Sequence, residues 1–199
     1  MITNETYRYY KSIIPSHVCE DIIRLGLSKT NIVGSTGSIS ASDLCEADLI
    51  DLKKHRNSNI AWLDGEWIYK WVRPYIIAAN KQSGWDYTYN TVENFQFTIY
   101  NENQFYDWHA DYHPSQIDNA GVRKISLSIS LSDPKDYEGG SLEFIVEDTP
   151  EKRRPIVCNE LTPRGSMVVF PSFVMHKVNP VTKGTRYSLV MWHRGPKWK

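Results

Sequence analysis

The chain has 199 residues, a length that fits one domain and suffices to bury a sizeable core. With 41% hydrophobic and 23% charged residues, plus seven Trp and twelve Tyr, the composition excludes a disordered chain. Lys plus Arg equals Asp plus Glu at 23 each, so no net field draws the protein to nucleic acid or to an acidic membrane surface.

Cys19, Cys45 and Cys158 lie far apart and form no C-x-x-C pair, which argues against a disulfide framework and against a zinc-thiolate site. They read as small buried hydrophobes in a reducing compartment. "MITNETYRYYKSIIPSH" has no apolar signal core, and no stretch is long and apolar enough to cross a bilayer. The expectation is a cytoplasmic protein without an anchor.

In chain order, "PSHVCEDIIRLGLSK" reads as a short amphipathic helix: Ser16 as N-cap, Glu20 and Asp21 in the first turn, and Val18, Ile22 and Leu25 on one face. Residues 31–58 mix Gly, Ser and charge with weak periodicity and read as loop with short elements. "DGEWIYKWVRPYIIAANKQSG" puts Ile68, Trp71, Val72, Tyr75 and Ala79 at helical spacing, with Gly84 near the end and Pro74 set to kink or divide the helix. The period then changes to two. "ENFQFTIY" alternates Phe95, Phe97 and Ile99 with Gln96, Thr98 and Tyr100, and "KISLSISLSD" alternates Ile125, Leu127, Ile129 and Leu131 with serines. "GGSLEFIVED", "GSMVVFPS", "MHKV" and "TRYSLVMWH" follow, separated by the turns "DPKDYEGG", "TPRG" and "VNPVTKG". The basic runs "KKHR" and "EKRRP" read as solvated loops. Helices first and strands after predict an α+β fold whose strands close into a barrel or pack as two sheets.

The chemistry concentrates in "YNENQFYDWHADYH", residues 100–113, and in "HKVNPVTKGTRYS". His109 and Asp111, two apart at a strand end, can offer an imidazole nitrogen and a carboxylate oxygen to one ion, but an H-x-D alone is a chance-level pattern. His176 supplies a third candidate ligand, and Arg186 with Ser188 on the following strand offers a clamp for an anion. Two histidines and one carboxylate on one face of an octahedral ion are the arrangement of non-haem Fe(II) oxygenases. His113 reads as a loop residue near the mouth, Tyr106 and Trp108 as candidates to line it, and His17, His55 and His193 as non-catalytic, His193 with a surface or C-terminal role.

From about residue 93 onward the chain resembles the iron(II)/2-oxoglutarate-dependent dioxygenases, most closely their prolyl 4-hydroxylase-like branch. Four motifs agree in order and spacing: Y-x-x-N-x-x-Y-x-x-H-x-D at Tyr100–Asp111, "LSISLSD" followed by "EGGSLEF", "PRGSMVVFPS", and H-x-V-x-P-V-x-x-G-x-R-Y-S at His176–Ser188. Arg186, where collagen-type members carry Lys, points to the smaller bacterial and phage-type hydroxylases. Asn103 stands where relatives often carry Gly, and Asn tolerates the left-handed conformation such a turn needs.

The resemblance implies one domain over 1–199: a double-stranded β-helix (jelly-roll) core at 93–195, with residues 1–84 as mainly helical support. It implies that His109, Asp111 and His176 hold Fe(II), and that Arg186, Ser188 and Tyr100 hold the distal carboxylate of 2-oxoglutarate. O2 would be the second co-substrate, and ascorbate a stimulant. The expected activity is hydroxylation of a peptidyl residue, proline favoured, releasing succinate and CO2. The alternatives are hydroxylation of a free amino acid or other small molecule, and a jelly-roll module that binds metal without oxidation. Relatives that demethylate nucleic acid usually carry a second arginine six residues after the first, where this chain has Trp192.

Overall fold

Eleven of the strands lie from residue 91 onward in the computed structural model, which describes residues 6–29, 32–34, 45–112, 121–149 and 152–198. The elements run β1 (Arg8–Tyr10), α1 (Ser16–Ser28), β2 (Ile32–Val33), α2 (Glu46–His55), β3 (Arg56–Asn57), β4 (Asn59–Leu63), α3 (Glu66–Gln82), β5 (Thr91–Val92), β6 (Phe95–Tyr100) and β7 (Phe105–His109). They continue with β8 (Val122–Ser130), β9 (Tyr137–Gly139), β10 (Leu142–Thr149), β11 (Lys152–Val157), β12 (Met167–Pro171), β13 (His176–Val178), β14 (Val181–Gly184) and β15 (Arg186–Gly195).

Two antiparallel sheets result. The larger runs β1-β12-β8-β15-β6-β4-β2, with β5 on β15, and the smaller runs β11-β10-β13-β7-β3; β9 and β14 form a separate pair. One face of the large sheet is apolar because Phe95, Phe97, Ile99, Ile125, Leu127, Ile129, Leu189 and Met191 recur at period two. Against it lie the buried stripes of α1 (Val18, Ile22) and α3 (Ile68, Val72, Ile76, Ala79). The opposite face meets the smaller sheet around Phe144, Phe170, Val168, Val178 and Leu161. Here the serines of β8 point inward: Ser126, Ser128 and Ser130 are all buried.

Several expectations need correction. Helix α1 begins at Ser16 but is capped by Pro15, without a side-chain cap bond; the Pro15 carbonyl accepts the Cys19 amide, so Glu20 and Asp21 fall beyond the first turn. Trp71 is 38% exposed, because the buried face of α3 is set by Ile68, Val72, Ile76 and Ala79 and Trp71 lies off that stripe. Pro74 sits inside an undivided α3; it is exposed, so the carbonyl left without an amide partner can turn to water. Within 31–58, α2 was not anticipated, and "KKHR" forms its C-terminal end and the start of β3; residues 30–31 and 35–44 lie outside the described residues. "EKRRP" falls largely in β11, pairing with β10. "NPVTKG" contains β14. Cys45 is exposed whereas Cys19 and Cys158 are buried, and all three are free. His193 is 1% exposed, with Nε2 3.1 Å from the Tyr69 hydroxyl: β15 runs on to Gly195, so the residue lies within the strand. The first half supplies strands β1 to β4 as well as the helices. Among the described residues no helix is long and apolar enough to cross a membrane.

Candidate metal and anion site

The antiparallel pairing of β7 with β13 sets His109 directly opposite His176. Cross-strand partners in such a pair stand close enough for their side chains to touch, and the two imidazole centroids are 4.1 Å apart. His176 opens β13. Asp111 lies two residues past the end of β7, where the Tyr112 amide donates to the Ser172 carbonyl at 2.8 Å and turns the segment inward. Ligand atoms of His109, Asp111 and His176 all lie within 4.8 Å of one another.

Protonation is fixed by the backbone. His109 Nδ1 is 2.7 Å from the Asp107 carbonyl and His176 Nδ1 2.9 Å from the Val174 carbonyl. A carbonyl only accepts, so each Nδ1 carries a proton, and in the neutral ring Nε2 is then the lone pair. Those lone pairs face Asp111: His109 Nε2 is 3.9 Å from Oδ1, and His176 Nε2 3.7 Å from Oδ2. Burial, reinforced by His176, pushes the His109 imidazole down to about 3, so it is neutral at physiological pH. Burial opposes ionisation of Asp111, but positive charge around it, from the His176 and His109 rings whenever they are protonated and from the Arg123 guanidinium, together with a hydrogen bond from Ser126, holds its carboxyl below its ordinary value. Asp111 Oδ2 is buried without a hydrogen-bond partner. Two imidazole nitrogens and a carboxylate oxygen therefore converge, a donor set that fits a divalent cation. Nitrogen and oxygen donors without thiolate suit iron better than structural zinc.

Arg186 and Ser188 open β15, with Arg186 opposite Tyr100 and Ser188 opposite both Thr98 of β6 and Ser130 of β8. Arg186 is 2% exposed, and its Nη1 has no hydrogen-bond partner. A buried guanidinium left open in this way is suited to a bidentate anion. Gly140, at φ +61°, makes room for it, since a Cβ there would press within 2.8 Å of Arg186 Cδ. A cavity of about 210 Å³ reaches Arg186, lined also by Tyr137, Gly140, Ser141, Leu142 and Cys158. Buried Tyr100 feels both the Arg186 and the Asp111 charges, with its hydroxyl pKa raised chiefly by burial, so it links the two halves of the site.

The structure thus brings together all six residues singled out by the sequence: His109, Asp111 and His176 in one cluster, and Tyr100, Arg186 and Ser188 beside it. His113 lies outside the described residues. Tyr106 stacks on His109 at 3.4 Å, and Trp108 carries Lys177 5.0 Å from its ring. Sequence reasoning missed Thr98 and Ser130, whose hydroxyls are buried without partners on either side of Ser188. Their signal was the polar half of an alternating strand in a sheet whose other face is covered by helices. It also missed Arg123, which makes a bidentate pair with Glu93 at 2.7 and 2.6 Å and lies 3.8 Å over the Trp192 ring. Asn103 has φ 64°, the left-handed turn expected of it.

A PKHD-type hydroxylase of Pseudomonas fluorescens is 39% identical over 90 residues, 44% of this chain and 37% of the relative. The chain spans about two fifths of the length of such curated relatives. The viral collagen prolyl hydroxylase of Paramecium bursaria Chlorella virus-1, solved with 2OG, superposes with a TM-score of 0.64 at 19% identity, covering 98% of this chain and 99% of that one. A prolyl hydroxylase of Trichoplax adhaerens, in complex with a hypoxia inducible factor oxygen degradation domain peptide fragment, superposes with a TM-score of 0.64 at 17% identity, covering 96% and 84%. Those structures share the fold. Residues 95–194, half the chain and all of the site, match the model of the 2OG-Fe(II) oxygenase superfamily, and the chain belongs to that superfamily.

Proposed function

We propose that the chain is an Fe(II)- and 2-oxoglutarate-dependent dioxygenase that hydroxylates a peptidyl residue, with proline the favoured target, on a single domain whose two sheets are the halves of a double-stranded β-helix. The observation that carries this reading is the convergence of two Nε2 lone pairs and an unpartnered Asp111 oxygen within 4.8 Å. When bound, iron, 2-oxoglutarate and O2 supply the oxidation, releasing succinate and CO2 as a C–H becomes a C–OH. His109, Asp111 and His176 would hold the metal. The Arg186 guanidinium, helped by the Ser188 and Tyr100 hydroxyls, would take the distal carboxylate of 2-oxoglutarate. The neutral His109 imidazole need lose no proton to ligate. The apolar wall of Phe144, Phe170, Val178 and Leu161 excludes water from the interior.

The peptidyl target rests on the prolyl hydroxylases that share the fold, one of them with a peptide bound. Succinate production from 2-oxoglutarate, measured with peptides and with free amino acids, tests the reading. The wild type should form succinate only with added Fe(II), and Asp111→Ala should lower the rate at least about 100-fold, since losing a ligand costs more than the typical loss for an outer-shell partner. Equal rates for the two proteins would refute the activity. Stimulation by free proline and not by prolyl peptides would refute the peptidyl target alone.

A further inference from the structure

The two imidazoles of the candidate centre are held in plane by different means. His176 packs against Phe170 (4.7 Å) and Phe144 (6.0 Å). His109 instead lies flat against Tyr106, centroids 3.4 Å apart and planes 10° from parallel. The hydrogen bond from Nδ1 to the Asp107 carbonyl sets the direction of the His109 ring but leaves it free to tilt about that bond.

We propose that Arg56 is a positioning residue for the metal centre, locking the plane of the His109 imidazole through the Tyr106 ring. Arg56 opens β3 with its Cα paired to that of Tyr106 on β7, and its guanidinium carbon lies 4.5 Å from the Tyr106 ring centroid. The guanidinium is anchored from elsewhere: Nη2 donates to Gln96 Oε1 of the large sheet at 2.8 Å, and Nε to Ser58 Oγ at 3.0 Å. Arg56 is 5% exposed. A Cβ at Gly34 would come within 2.6 Å of both Arg56 Nε and Ser58 Oγ, so that glycine leaves the space the guanidinium fills. A planar cation pinned at two nitrogens and stacked on a phenol is a rigid template, and groups that orient metal-binding histidines tune affinity without touching the ion.

This role rests on the His109/Asp111/His176 centre proposed above, and it carries a sign that separates it from a charge effect. A buried cation near a cation site repels the ion, so Arg56 acting only as a charge makes the site weaker, and its removal would tighten binding. Acting as a template it makes the site stronger, and its removal loosens binding.

The experiment is an anaerobic Co(II) titration of the full chain, without peptide or 2-oxoglutarate, read by the visible absorption of the bound ion. Arg56→Met should bind Co(II) about 10-fold more weakly than wild type, with a shifted band. Arg56→Lys, which returns the charge but not the plane, should recover little. Tyr106→Leu should show a similar loss and Tyr106→Phe near wild-type affinity, and the Arg56→Met/Tyr106→Leu double variant should lose no more than either single one. Unchanged or tighter binding by Arg56→Met, or losses that add in the double variant, would overturn the proposal. Should Arg56→Met fail to fold, the Tyr106 pair decides: equal affinity for Leu and Phe overturns it. Wild-type affinity in Asp111→Ala would instead show that the ion binds elsewhere, and the metal-centre reading would fall first.

Discussion

Arg186 holds a charge in the interior that nothing within the described residues neutralises at Nη1, and such a group either meets an anion or destabilises the fold. Arg186→Gln keeps some hydrogen-bonding capacity but loses the charge and the fork. The 2-oxoglutarate concentration for half-maximal succinate formation should then rise about 10- to 100-fold, from the worth of hydrogen bonds to charged groups, while Co(II) affinity stays within about 2-fold; an unchanged 2-oxoglutarate requirement would remove Arg186 from the site. His193 makes a different demand. Burial pushes its pKa down to about 4 against about 6.5 in the unfolded chain, so between those values the unfolded state binds the extra proton. Stability is therefore fully present above about pH 6.5 and lost as pH falls toward 4. Urea denaturation of the metal-free protein at pH 7.5 and 5 measures this, and His193→Phe should flatten the dependence relative to wild type; an identical slope would mean that His193 does not titrate on unfolding.

At the scale of elements, what the sequence made legible depended on how many faces of an element are covered. Helices α1 and α3 each have one wet face, so their apolar stripes stood out, and among the residues assigned to those stripes Trp71 was the one that proved exposed. Strands β6 and β8 are buried on both faces, and their alternation marked them as strands without saying that the polar set looks into the site; Thr98 and Ser130 were lost for that reason. Helix α2 was invisible because its acidic start and its Lys53, Lys54 and His55 end satisfy the helix dipole with little apolar periodicity between. The seat of α1 on the sheet rests on one small residue. A Cβ at Gly26 would run into the Phe97 ring, and the fully buried Phe97 has little room to yield. Gly26→Ala should lower stability by about 1–3 kcal/mol despite its better helix propensity, measured by chemical denaturation; a neutral or stabilising effect would show that the helix can ride higher without cost.

For the molecule as a whole, two sheets close around an interior that is apolar on one side of the site and polar on the other, and the paired register of β7 with β13 joins residues 67 positions apart. The separation of His109 from His176 explains why the centre was legible only once ordered motifs over half the chain were taken together; the local H-x-D does not reveal its third member. A site of facing lone pairs also links metal to folding. At a free Mn(II) concentration about 100 times its Kd, the wild type should gain about 2.7 kcal/mol of stability, and Asp111→Ala should gain little. The most direct measurement is a crystal structure grown anaerobically with Mn(II) and 2-oxoglutarate. The account predicts one ion bound to His109 Nε2, Asp111 and His176 Nε2, with the distal carboxylate of 2-oxoglutarate on Arg186. An ion held by other residues, or a carboxylate that leaves Arg186 unpaired, would contradict it.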